Sequence, residues 1–277
     1  MRARISTFVA ETRPLNCLMA AFAALVGMLV SGALLTAAES VRVAILGFVV
    51  VSLVTAGGNV VNDYFDFAID LVNKPDRAVP SGRITRPAAL RYALALSLLG
   101  VAISHFINPA CFVLAALNAT LLILYSWRLK RTALIGNLLV GYLTGSVFLF
   151  GGAAVSAIFI PGVLFVSAML AITSREIVKD VEDLVGDKAG GATTLPIRYG
   201  VTTSLAAAAL FMLAAIVVSP LPFVTGVLGP TYLGIVIIAD AILLCGSALA
   251  WRAPARASEL IKYGMLVVLV AYLAGVL

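Results

Sequence analysis

The sequence predicts an all-α, polytopic membrane protein, and three observations carry that prediction. Of the 277 residues, 62% are hydrophobic and only 12% charged, with a mean hydropathy of +1.10. A soluble domain of this length could not cover itself with so little polar surface, whereas a helical bundle in lipid must look like this. Apolar windows of about 20 residues recur along the whole chain. Finally, all 19 Lys and Arg residues except Arg42 fall on one side of the arrangement those windows imply, as the positive-inside rule requires.

Nine spans are expected, at about 14–36, 41–66, 87–107, 109–127, 133–154, 158–180, 201–219, 230–250 and 257–276. Pro14, Pro87, Pro109 and Pro230 stand near helix starts, where a missing N–H costs nothing. The first apolar run is too long for a signal-peptide core and is kept as a span. Basic residues precede span 1 and flank the loops after spans 2, 4, 6 and 8, which places the N-terminus and the even-numbered loops in the cytoplasm. Topology therefore accounts for the +6 net charge, and no nucleic-acid partner is needed. Cys17, Cys111 and Cys245 lie inside apolar runs and read as packing residues. The glycines at 136, 141, 145, 151 and 152 suggest close helix packing around span 5. Asp240 falls in the middle of span 8, where a charge is costly, and is expected to have a structural role.

Charge is scarce, yet Asp63, Asp66 and Asp70 recur 117 positions later as Asp180, Asp183 and Asp187 with the same spacing. Spacings of three and seven residues put three carboxylates on one helix face. Each triplet closes a long apolar run. Spans 1–4 and 5–8 thus read as two parallel copies of a four-helix unit: a first repeat at about 1–131, a second at about 132–250, and a final helix at about 257–276. All belong to one transmembrane domain, 1–277.

Two such helix ends side by side would crowd six carboxylates at one membrane surface, a density that calls for a divalent cation between them. Asn62, Asp66 and Asp70, at i, i+4 and i+8, can converge along one stripe. Oxygen-only donors with no competing Cys or His cluster favour Mg²⁺, which keeps phosphate oxygens in its shell. Solvated acids at a helix–water boundary would explain one such triplet better than two. A secondary transporter also has parallel repeats and intramembrane acids, but it would place them at the bilayer midplane.

Asn62-Asp63-x-x-Asp66-x-x-x-Asp70, Asp183-x-x-x-Asp187 and Tyr125-Ser126-x-x-Leu129-Lys130 resemble the signature segments of the UbiA superfamily of intramembrane prenyltransferases. The resemblance covers the whole chain. Arg13-Pro14-x-Asn16-Cys17, Asn73-Lys74-Pro75-x-Arg77-x-x-Pro80-Ser81-Gly82 and the run from Arg175 to Asp187 are most similar to an archaeal ether-lipid branch. Ala78 and Val79 depart from the Pro-Ile expected there, and Val185 from a frequent Glu.

The resemblance implies a UbiA-type fold and Mg²⁺-dependent transfer from geranylgeranyl diphosphate to geranylgeranylglyceryl phosphate. An aromatic acceptor for quinone synthesis is the alternative. The implied metal ligands are Asn62, Asp66, Asp70, Asp183 and Asp187. Lys130, Arg77 and Lys179 would contact the diphosphate, and Tyr125 and Ser126 would offer hydroxyls near the reacting carbon. Asp63 and Asp180 would support the metal ligands or assist proton removal. Arg13, Arg128 and Arg175 are candidates for the acceptor phosphate, with Asn16 near the same surface. The implied partners are these two lipids and the bilayer, with no obligate protein partner. The site is expected on the cytoplasmic side.

Overall fold

The computed structural model describes residues 2–33, 36–189 and 191–276. In chain order its helices are α1 (Arg2–Glu11), α2 (Pro14–Val30), α3 (Ala37–Phe65), α4 (Phe67–Asn73), α5 (Arg86–Ser104), α6 (Pro109–Trp127) and α7 (Ile135–Ala154). Then follow α8 (Phe159–Glu182), α9 (Leu184–Ala189), α10 (Leu195–Tyr199), α11 (Val201–Val218), α12 (Leu221–Val224), α13 (Pro230–Leu249) and α14 (Pro254–Val276). Among the described residues the sole β pairing is an isolated parallel bridge between Thr132 and Thr193.

All nine apolar windows form helix. Eight of the helices are long and apolar enough to cross a membrane. The remaining one, α2, is apolar but has 17 residues, at the lower bound of about 17 for a spanning helix. The first window was expected to run to Thr36, but α2 stops at Val30, and residues 34–35 lie outside the described residues. Large apolar side chains point outward all round the bundle, among them Leu98, Leu210 and Val217. That is stable only where acyl chains are the solvent.

α3 packs on α2, α5 and α6, α8 packs on α7, α11 and α14, and α2 against α7 joins the two sets. Glycine makes these approaches possible. A Cβ on Gly151 would lie 2.1 Å from the Ala24 carbonyl oxygen, and one on Gly27 2.3 Å from that of Phe148. At the α7–α8 crossing, Gly141 and Gly145 similarly face the Met169 and Phe165 carbonyls. Membrane helices lack a hydrophobic drive toward one another, so backbone-to-backbone packing of this kind must hold them. Cys17 and Cys111 are buried in these contacts, as expected of packing residues, while Cys245 is exposed.

The two aspartate segments adopt the same local form, which differs from the continuous helical stripe expected. α3 ends at Phe65 and α4 begins at Phe67, with Asp66 between them at φ −80°, ψ 0°. α8 ends at Glu182 and α9 begins at Leu184, with Asp183 at φ −88°, ψ 6°. Both central aspartates occupy the bridge region of backbone space. Short polar side chains compete with the helix ladder, and Asn62 Nδ2 donates to Asp66 Oδ2 at 2.8 Å. Each triplet is therefore split across a long helix and a short one, although i→i+4 main-chain bonds continue through the break.

Candidate active site

The first segment is organised around buried charge. Asp63, on the last turn of α3, is 2% exposed. It accepts hydrogen bonds from Arg13 and, at 3.0 Å, from Arg77. Arg77 also donates to Asp70 Oδ2 at 2.7 Å, and Lys130 pairs with Asp66. Arg13, expected at the acceptor phosphate, is thus committed to Asp63. Its backbone is left-handed (φ 52°, ψ 69°) immediately before Pro14, a conformation costing about 1–2 kcal/mol for a residue with a Cβ. Strain of this kind persists only where surrounding contacts over-determine it.

The loop after α4 holds Arg77 in place. Ala78 and Val79, two of the three departures from the pattern of that branch, are buried with Ile84 against Val60 and Val61 of α3. Gly82 (φ 76°) makes the turn that brings Ile84 back, where its N–H donates to the Ala78 carbonyl at 3.0 Å. The loop therefore docks through apolar contacts and aims Arg77 at the carboxylates.

One member of this cluster had no signal in the sequence pattern. Glu11, the last residue of α1, is 7% exposed, and its Oε1 has no hydrogen-bond partner. Burial first, then the neighbouring Asp63 charge, raises its carboxyl above the usual range, while the Val79 N–H, Arg77 and Arg13 pull the other way. An alternation of polar and apolar residues in a ten-residue helix does not indicate that its final acid will be covered by the distant loop that carries Ala78 and Val79. Burial, followed by the neighbouring Arg131, brings the Lys130 ammonium down to about 8, against the attraction of Asp63.

The second segment is arranged differently. Asp180 accepts from Asn137 Nδ2 of α7 at 2.8 Å, a neutral partner where Asp63 has two guanidinium groups. Asn137 thus acts as polar glue between helices, but on a motif residue. Asp183 is exposed and Asp187 half-buried. Burial and then the charge of Asp183 push the Asp187 carboxyl upward. Among the described residues neither forms an ion pair with Lys or Arg. Lys179 reaches Glu176 Oε2 at 3.5 Å. Arg175, a second expected phosphate ligand, donates to the Ser258 carbonyl at 3.1 Å and to Glu176 at 3.2 Å. Tyr125 lies within electrostatic reach of Glu176 and Asp180. Ser126 is buried, and Arg128 is exposed at the end of α6.

Among the described residues no three His, Cys, Asp or Glu side chains are gathered closely enough to hold a metal ion, while two of the expected ligands, Asn62 and Asp66, are in contact. Their chemistry nonetheless suits a hard dication. The donors are all oxygen, and Asp183 and Asp187 repel one another without a cation between them.

Beneath this surface lies a mainly apolar chamber of about 630 Å³, lined by both sets of helices. Asn59, one turn below Asp63 on α3, marks its upper end. Asp240, expected to have a structural role, lines it at membrane depth; one carboxylate oxygen accepts from Ser219 Oγ at 2.6 Å and the other is buried without a partner.

Because Asp63 is buried between two guanidinium groups, its replacement tests stability more than chemistry. Asp63→Asn is expected to cost about 2–3 kcal/mol, less than a fully buried pair because both Arg side chains reach water. Thermal unfolding in detergent would measure this, and an unchanged melting temperature would contradict it.

A family model described as the UbiA prenyltransferase family matches residues 20–270; the chain belongs to that family and is a multi-pass membrane prenyltransferase. It is 48% identical over 270 residues to the digeranylgeranylglyceryl phosphate synthase of Methanopyrus kandleri, covering 96% of this chain and 97% of that protein. The synthase of the same name from Methanococcoides burtonii is 44% identical, covering 98% and 100%. Among solved structures, one of a digeranylgeranylglyceryl phosphate synthase superposes with a TM-score of 0.91 at 37% identity, covering 99% of both chains. A UbiA homologue from Archaeoglobus fulgidus bound to GPP and Mg²⁺ shares the fold, with a TM-score of 0.70 at 17% identity, covering 95% of this chain and 99% of that one.

Proposed function

We propose that this prenyltransferase joins geranylgeranyl diphosphate to the free hydroxyl of geranylgeranylglyceryl phosphate, with its site and N-terminus on the cytoplasmic side. The C–O bond to diphosphate breaks, an ether C–O bond forms, diphosphate leaves, and the hydroxyl gives up its proton. The observation that carries this reading is two aspartate segments of the same local form, the first of them paired with Arg77 and Lys130, in a bundle that encloses an apolar chamber. Near-full-length similarity to synthases of that name supports the choice of acceptor.

The chemical difficulty is expelling a highly charged leaving group from an allylic carbon. Asn62, Asp66 and Asp70, with Asp183 and Asp187, would hold Mg²⁺, which supplies neutralisation of the charge developing on the diphosphate. Lys130, Arg77 and Lys179 add charge-assisted hydrogen bonds to the diphosphate oxygens. Tyr125 and Ser126 offer hydroxyls at the top of α6. The apolar chamber takes the prenyl chains and keeps water from the allylic cation while the acceptor attacks. Of the aspartates that open the triplets, Asp180 is the better proton acceptor: its partner is a neutral amide, whereas two guanidinium groups hold the charge of Asp63.

The test is transfer of label from geranylgeranyl diphosphate in detergent micelles, with geranylgeranylglyceryl phosphate and 4-hydroxybenzoate offered separately. Ether product from the glyceryl phosphate alone is expected, lost on adding EDTA and restored by excess Mg²⁺. Labelled aromatic product would move the enzyme to quinone synthesis. Transfer that persists in EDTA would remove the metal from the mechanism.

A further inference from the structure

The chamber has an identifiable rim. The exposed residues that line it are Asn16 and Met19 on α2, Lys262 and Leu266 on α14, and Thr144 on α7; α7 is packed among α2, α3, α6 and α8, so Thr144 faces the chamber itself and the residues of α2 and α14 mark the rim. The opening therefore lies between α2 and α14, toward lipid. Lys262, nine residues into α14, belongs to the same rim: it lines the chamber and its side chain is 51% exposed. Among the described residues that line the chamber, it is the one basic side chain.

A lysine this far into a membrane helix, facing a cavity, marks a substrate path more often than it serves packing. Its one ion-pair partner among the described residues is Glu259, at 3.8 Å and 55% exposed. Such a surface pair is weak, so the ammonium remains available. The aliphatic stem can lie along the apolar wall while the charge reaches toward the interface. Of the basic residues expected from sequence at the acceptor phosphate, Arg13 is taken by Asp63, Arg175 by Ser258 and Glu176, and Arg128 is exposed but does not line the chamber.

We propose that Lys262, with Asn16 across the rim, binds the phosphate monoester of the lipid acceptor as it enters between α2 and α14. This rests on the reading above, in which the acceptor is an amphiphile carrying a phosphate beside its reacting hydroxyl. The donor diphosphate is met by the aspartate segments. The acceptor's single phosphate meets the cation at the rim, and its tail lies in the chamber. Two anions therefore have two addresses, so neither substrate competes for the other's site.

The experiment is steady-state kinetics of the full chain in detergent, varying each substrate separately. Lys262→Met is expected to raise the acceptor KM about tenfold, the worth of one charge-assisted hydrogen bond at a part-exposed site. Donor KM and kcat should stay within twofold of wild type. Lys262→Arg should restore the acceptor KM and Lys262→Glu should raise it further, a charge series that a packing role would not produce. An acceptor KM within twofold of wild type for Lys262→Met, or equal shifts in both substrates, overturns the proposal. Wild-type protein that transfers nothing to a glyceryl phosphate would instead overturn the function on which it rests.

Discussion

Asp66→Ala and Asp187→Ala are each expected to lower kcat/KM by at least about 10³-fold, because each removes a charge placed where the leaving group develops its own. The two residues come from different aspartate segments and have different surroundings. Asp66 occupies the break between α3 and α4, held by Asn62 and paired with Lys130. Asp187 lies on α9 beside Asp183. Asp187 has no ion-pair partner among the described residues, so its variant should melt near the wild-type temperature, whereas Asp66→Ala leaves the largely buried Lys130 unpaired and should also lower the melting temperature. Label transfer and thermal unfolding on the same preparations would separate chemistry from stability. Near-normal turnover in either folded variant would defeat its assignment. The contrast with Asp63→Asn is informative, since there the stability loss should come first.

Gly151→Leu is expected to prevent recovery of folded protein. At this crossing of α2 and α7 a Cβ would sit 2.1 Å from the Ala24 carbonyl oxygen and 2.8 Å from the Met28 nitrogen. Both obstacles are backbone, so no side-chain rotation relieves the clash. The helices would have to separate, and with them the two sets of elements that line the chamber. Ordinary overpacking costs about 1–3 kcal/mol, and here the entire interface must move. Gly162→Ala provides the control, because a Cβ there meets nothing within 4 Å and alanine is the better helix former. Size-exclusion profiles and melting curves would distinguish the pair; a monodisperse, stable Gly151→Leu protein would mean that this crossing does not hold the bundle.

The positions of the helices were legible because lipid imposes a single rule on every spanning residue, and hydropathy reads that rule directly. The aspartates were legible because Asp63 and Asp180 begin identical spacings in a chain with only 13 acidic residues. The break at Asp66 and Asp183 was not, since periodicity describes a helix that continues and cannot register one residue at ψ near 0°. Pairings across the sequence were also hidden. Nothing near Arg13 announces Asp63, 50 positions on, and the burial of Glu11 depends on the Ala78–Val79 loop folding back over α3. Lys262 looked like one more charge obeying the positive-inside rule, because spacing cannot tell a lysine that faces lipid headgroups from one that also faces a cavity.

The Thr132–Thr193 bridge has a consequence for how the two halves can vary. Thr193 donates to the Arg131 carbonyl through both its N–H, at 3.3 Å, and its Oγ1, at 2.6 Å. The Ala192 N–H is bonded in turn to the Asp187 carbonyl at 3.0 Å. Lys130 and Asp187 are thus registered by main-chain pairing, like teeth on two combs, and not by the reach of their side chains. An extra residue between Lys130 and Thr132 would conserve every functional group yet shift Lys130 relative to that bridge. Drift in these loops should accordingly tolerate exchanges of residue type far better than changes of length.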